Sequence, residues 1–406
     1  MTPPPQITLL DRSTPPHLLT LVVLAGLPAL NMSVFLPSLP AMTAHFGTDY
    51  AVMQLSVSLY LALTACIQLA IGPLSDRYGR RPVLLASLAI FVIATLGCLF
   101  APNAVTFLAF RMVQGAVAAG MVLSRAIVRD IYPLNEAASR IGYVTMGMSL
   151  IPMIAPVIGG SLAQVFGWQS IFVFLLGSGL LIGWLSWSDV GETAVTTGTS
   201  FVRQVRDYPR LLGSPRFWGY AAACAFSSGA FFAFLGGGPY TADVIFGLPP
   251  FWTGFCLGAP AIGYALGNFI SGRFSARLGI NPLILAGALL ATGVMGLSLV
   301  FGAVGIQGPV IFFGLVTFLG AGNGLVMPNA TAGLLSVRPD LAGTASGLGG
   351  FIMVGGGAAL SVLAGIVLEG SPTPMPLQWL MFLSSALSFA CALYVISYEH
   401  RLRQGR

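Results

Sequence analysis

The chain has 406 residues, of which 56% are hydrophobic and 7% charged, with a formal net charge of +6. Soluble proteins carry roughly 25% charged residues to cover their surface, so this composition excludes a water-soluble enzyme or nucleic-acid binder and points to a chain embedded in lipid. Every basic residue is an arginine; with no lysine there is no phosphate-binding loop for ATP and no Schiff base.

In chain order, apolar runs broken by charge or by Gly/Pro clusters predict twelve membrane-spanning helices. They lie at about 18–40, 52–74, 83–101, 105–127, 140–163 and 168–188, then 217–240, 251–272, 281–302, 307–330, 342–368 and 377–397. No cleavage site is evident near Asp11–Arg12, so the first span is expected to stay in the chain. The first span carries Asn31 near its end. In the second, Gln54, Ser58, Thr64 and Gln68 fall in a band about 120° wide at 100° per residue. They either line a cavity or hydrogen-bond to a neighbouring helix. In the fourth, Arg111, Gln114, Ala118 and Arg125 fall within about 60° of one another. An arginine facing lipid is expensive, so this face is expected to point at a cavity, although Arg125 can also snorkel toward the helix end. In the fifth, Pro152 and Pro156 are candidate kinks and Gly159–Gly160 a close-packing point, together a candidate hinge or seal. The seventh span is rich in phenylalanine and the eleventh in glycine, and both patterns fit packing as well as binding. The five cysteines read as small packing residues, and neither they nor the three histidines have metal-ligand spacing.

The longest polar connection, 189–216, falls between the sixth and seventh spans. It divides the chain into an N-terminal six-helix bundle (1–188), a cytoplasmic linker (189–216) and a C-terminal six-helix bundle (217–406). With the N-terminus inside, every arginine except Arg111 and Arg125 falls on the inner side, which predicts that both termini are cytoplasmic. GPLSDRYGRRP at 72–82 follows the second span and GRFSARLGINP at 272–282 follows the eighth. Gly72, Ser75, Arg77, Gly79 and Pro82 recur as Gly272, Ser275, Arg277, Gly279 and Pro282, each 200 residues later. Duplicated halves with a site between them are a common transporter plan.

These residues resemble a known family. GPLSDRYGRRP is similar to the cytoplasmic loop motif G-x-L-[SA]-D-R-x-G-R-[RK] of the major facilitator superfamily, and RMVQG at 111–115 to its Arg-x-x-Gln-Gly signature. PMIAPVIGG at 152–160 resembles the proline-glycine motif of drug antiporters. NMSVFLPSLP at 31–40 and SRAIVRDIYP at 124–133 are similar to the bicyclomycin/chloramphenicol-resistance (Bcr/CflA) branch. The resemblance implies an all-α fold of twelve helices in two pseudo-symmetric bundles. It also implies a monomer in the bacterial inner membrane that moves a small amphipathic molecule by alternating access, with a proton gradient as energy source and no cofactor or nucleic acid. By the same resemblance, Gly72, Asp76, Arg77, Gly79, Arg80, Arg81 and Asp130 form a gating loop, with Asp76, Arg80 and Asp130 locking the halves in one state. The plain alternative is that its arginines only fix topology. The second copy has Ala276, Ile280 and Asn281 where the first has charge, and is expected to lock weakly.

The branch usually has an acidic residue where this chain has Asn31, and none of its twelve acidic residues falls mid-span. Arg111, Gln114, Asn31, Arg125, Gln54 and Gln68 are the candidate substrate or coupling residues. Two cations without a buried carboxylate point to neutral or anionic amphiphiles, phenicol-like drugs among them. The sequence supports an exporter first and an importer or facilitator of one solute as the alternative. No carboxylate-rich cluster of a membrane transferase is present.

Overall fold

A computed structural model describes residues 8–132, 134–194, 209–338 and 341–404, so most of the expected linker lies outside the described residues. The described residues are all helix and connection, with no strand. Helices suit a bilayer because they satisfy every backbone group internally.

The first span is Leu18–Ser33, continued by a 3-10 turn, Leu36–Ser38, and a short helix, Leu39–Phe46. The second is Tyr50–Tyr78 and the third Arg80–Leu99. The fourth comes in three pieces: an α-helix Ala104–Val113, a 3-10 turn Gln114–Ala118 and an α-helix Ala119–Ile131. The fifth is Leu134–Phe166 and the sixth Gln169–Asp189. The second half follows with Pro215–Tyr240, Pro250–Leu278, Ile280–Ala303, Pro309–Ser336, Ala342–Leu368 and Met375–Gln404. Ten of these stretches are long and apolar enough to cross a membrane. The other two, the fifth and eighth, are 33 and 29 residues long, about 50 and 43 Å at 1.5 Å per residue. Proline opens the seventh, eighth and tenth spans, where its missing N–H costs nothing.

The repeat read from the sequence is also a repeat of backbone geometry. Gly79 alone connects the second span to the third, and Gly279 alone the eighth to the ninth. Their φ values are +95° and +82°, a region that favours glycine.

The halves meet along the fifth and eighth spans and along the second and eleventh. At the end of the bundle away from the arginine-rich loops the approach is backbone to backbone. Between the halves, a Cβ on Gly160 would fall on the Pro250 carbonyl and one on Gly254 on that of Pro156; within the first half, one on Gly159 would fall on the Val34 carbonyl. The helix Leu134–Phe166 runs unbroken through Pro152 and Pro156. At this same end Tyr50 donates from its hydroxyl to the Gly236 carbonyl (2.8 Å), and its ring packs against Tyr240. Gln54 Nε2 donates to Ser361 Oγ (2.6 Å). Among the described residues these two hydrogen bonds are the ones that join the halves, and no ion pair joins them at the arginine-rich end. There Gly72 and Gly272 have no described atom within 4 Å of a would-be Cβ. Among the described residues the halves are thus hydrogen-bonded to each other at the far end and not at the arginine-rich end.

The seventh-span aromatics mainly pack. Phe232 fills the space left by Gly357, and Phe234 meets Phe313. Cys98 and Cys224 are buried, but Cys66 is exposed on the outside of the second span, so the packing reading does not hold for it.

Candidate functional site

Arg111 is fully buried inside the first half. Its Nε donates to the Ser56 carbonyl (3.3 Å) and one terminal nitrogen to both Asn31 Oδ1 and Gln114 Oε1 (2.6 Å each). The other terminal nitrogen donates to the Asn31 carbonyl (2.7 Å). Phe35 and Tyr60 stack against the guanidinium with ring centroids 4.2 and 4.6 Å away. Gln114 passes the contact on by donating to Thr95 Oγ1 (2.8 Å), and Tyr60 donates to the Pro28 carbonyl. The first four spans are thus stitched around one cation. Its shell is wholly neutral: carbonyls, amide oxygens and π faces, with no carboxylate among the described partners. An isolated arginine at this depth costs several kcal/mol; hydrogen bonds to a charged group, about 1.5–3 kcal/mol each, offset that. Asn31 is fully buried, and its Nδ2 has no partner among the described residues.

The structure therefore divides the face that the helical wheel assigns to the fourth span. Arg111 and Gln114 point into the first half and not at an open cavity. Arg125 takes no part in that shell and is only partly buried. The 3-10 turn Gln114–Ala118 lies between them. At about 120° per residue instead of 100°, five residues add roughly 100° of rotation, which a uniform α-helical wheel omits. Gln54 and Gln68 both face the eleventh span, Gln54 on Ser361 and Gln68 beside Gly350. The helix-joining alternative is the one the geometry fits.

At the arginine-rich end Arg80 collects the gating-loop residues. It pairs with Asp76 and, through Nε, with Asp130 (2.9 Å), and it also donates to Ser75 Oγ. All of these lie in the first half, so here the network ties the second, third and fourth spans to one another. Arg77 lies over the Tyr78 ring (5.2 Å). Arg81 donates to the Val190 and Trp187 carbonyls at the end of the sixth span.

The sequence reading did not find the carboxylates that close each bundle at this end. Glu192 accepts from the Arg80 and Arg81 backbone N–H groups at the start of the third span. This suits the positive end of a helix dipole. Asp189 accepts from the Leu10 and His17 backbone N–H groups, fastening the N-terminal segment. In the second half Glu399 accepts from Arg216 (2.6 Å), Tyr220 (2.9 Å) and Asn281 (2.8 Å). The second loop copy is thus tied through Asn281 to a carboxylate on the last helix. The only advance signal was an acidic residue just past the end of the sixth and twelfth spans.

The sequence profile described as Major Facilitator Superfamily matches residues 21–362. The chain belongs to the major facilitator superfamily. Among its relatives is the "Uncharacterized MFS-type transporter YdgK" of Bacillus subtilis (strain 168), 31% identical over 80% of this chain and 83% of that one. The "Bicyclomycin resistance protein homolog" of Haemophilus influenzae is 29% identical over 76% of this chain and 78% of its own. Such relatives support the Bcr/CflA branch to which the motifs point. The crystal structure of a D-xylose-proton symporter superposes with a TM-score of 0.74 at 15% identity, covering 93% of this chain and 96% of that one. That likeness is one of fold. The major facilitator is a multi-pass membrane transporter, not an enzyme.

Proposed function

We propose that this major facilitator is a secondary exporter of amphipathic neutral or anionic compounds, phenicol-like drugs among them. It works by alternating access between the 1–188 and 217–406 halves, as a monomer in the bacterial inner membrane with both termini cytoplasmic. The observation that carries the reading is the close contact of the halves at the far end, where the described hydrogen bonds between them lie. By the positive-inside rule the arginine-rich end is cytoplasmic, so this state loads from inside the cell. The drug-resistance name of the Haemophilus influenzae relative supports the substrate class. Of the two membrane-embedded arginines, Arg111 is enclosed by its own shell, and Arg125 is the one left to disfavour cations.

The proton gradient is the proposed energy source. Coupling needs a carboxylate whose surroundings change with the gate. Asp243 is our candidate: it is partly buried in the π-helical turn Thr241–Ile245 that directly follows Tyr240, whose ring packs on Tyr50 in the seal. Cells of an efflux-deficient host expressing the protein are expected to accumulate less of a phenicol than control cells, and an uncoupler should abolish the difference. Equal accumulation with and without the protein would overturn the reading.

A further inference from the structure

We infer that the groove between the third and sixth spans, on the outer flank of the first half, holds one acyl chain of a phospholipid whose phosphate sits on Arg81. The groove has a volume of about 340 Å³ and runs between Leu85, Ala89 and Ile93 on the third span and Leu180, Gly183 and Trp184 on the sixth. Its lining is almost wholly apolar. Ile93, Leu180 and Trp184 are each more than half exposed, and in a chain that spans a bilayer such a flank meets lipid. Glycine makes the notch. A Cβ on Gly183 would meet no described atom within 4 Å, whereas one on Gly179, a turn away, would strike Phe91 of the third span.

The arginine-rich end of the groove selects the occupant. Arg81, Leu85, Ala89 and Val92 follow one another at steps of four, four and three along one face of the third span. The Arg81 guanidinium reaches across to the sixth span, donating from Nε to the Val190 carbonyl (2.9 Å) and from Nη2 to that of Trp187 (3.0 Å). Nη1 takes part in neither bond, and the residue is partly exposed. The neighbouring carboxylate, Glu192, is occupied by the backbone N–H groups of Arg80, Arg81, Thr193 and Ala194. Trp187 and, one turn away, Trp184 are each 55% exposed, the placement tryptophans favour at headgroup level. The lengths match one leaflet. Arg81 to Ile93 is about 18 Å of helix, and half of a hydrocarbon core about 30 Å thick is about 15 Å. A held guanidinium at headgroup level, with an apolar slot one leaflet deep beyond it, complements a phosphodiester on an acyl chain. Both helices belong to the first half, so the site stands independently of the transport reading.

The test uses the full-length protein purified in dodecyl maltoside, with added phosphatidylglycerol that carries a photoreactive diazirine in one acyl chain. A diacylglycerol with the same chains and no phosphate is the control. Labelled peptides are mapped by mass spectrometry. Label is expected on 85–93 and 179–184, at least about fivefold above other lipid-facing stretches and at least about fivefold above that from the diacylglycerol. Gly183→Phe, which fills the notch, should cut that label about fivefold with an unchanged melting temperature. Arg81→Gln should lower phosphatidylglycerol labelling to the diacylglycerol level, whereas Arg81→Lys should keep part of the difference. Equal labelling by the two probes, label spread evenly around the bundle, or groove label that survives Gly183→Phe overturns the site. So does a dimer in the same micelles that Gly183→Phe dissociates, since the groove would then belong to a second copy of the chain.

Discussion

An arginine held in the middle of a bilayer has to occupy its donors with acceptors, and Arg111 does so with two carbonyls and two amide oxygens. Arg111→Ala leaves those acceptors buried and unpaired at about 1–3 kcal/mol each. We expect lost transport and a melting temperature lower by several degrees, read by thermal shift and proteoliposome flux. Arg111→Lys is expected to fail as well, because a single ammonium cannot span acceptors arranged for a planar fork. Asn31→Asp makes the opposite prediction. It replaces the unpartnered Nδ2 with an oxygen and gives Arg111 a counter-charge. Stability should rise by about 1–2 kcal/mol, and flux should acquire a new pH dependence. A melting temperature unchanged by Asn31→Asp would show that the amide already serves as well as a carboxylate. The partnership of Arg111 and Gln114 was legible because residues three apart share a helical face. The 3-10 turn that sends Arg125 elsewhere was not, because Gln-Gly-Ala-Val-Ala contains no strong helix breaker and the turn is set by packing.

Helices are held by two kinds of contact, close backbone approach between the halves at the far end and carboxylate ties within each half at the arginine-rich end. Gly160 and Gly254 let the fifth and eighth spans approach to backbone contact. Gly160→Leu is expected to hold that end apart, abolishing transport and raising thiol-reagent labelling of a cysteine placed at Tyr240. Asp243→Asn should leave the gate able to close but make flux insensitive to an imposed pH gradient; gradient-driven flux at the wild-type rate would remove Asp243 from the coupling route. The bounds of the spans were legible to within seven residues, because lipid demands long apolar runs and the connections are marked by Gly, Pro and Arg. The ties made by Asp189, Glu192 and Glu399 were not. Each joins residues more than a hundred positions apart, and no local spacing encodes such a pairing.

For the molecule as a whole, the seal requires the second span to meet the seventh and eleventh, and flux requires it to part from them. Cysteines at Gln54 and Ser361 in a cysteine-free background, joined by a short bis-thiol linker, should stop transport, and a reductant-cleavable linker should restore it. Undiminished flux with the linker in place would mean that the seal does not open during turnover. The two-bundle plan could be read from the arginine distribution and the 200-residue repeat, since both follow from topology. Which end the halves meet at could not, because no local pattern in the sequence encodes how the two bundles close on each other. The crests at Gly79 and Gly279 have one more consequence. A hairpin with one residue at its bend has no slack, so each pair of helices it joins must swing as a single stiff lever. Three or four residues inserted at either crest would let one arm lag behind the other. Such a variant would still bind its ligand, but the motion of one arm would no longer reach the opposite rim.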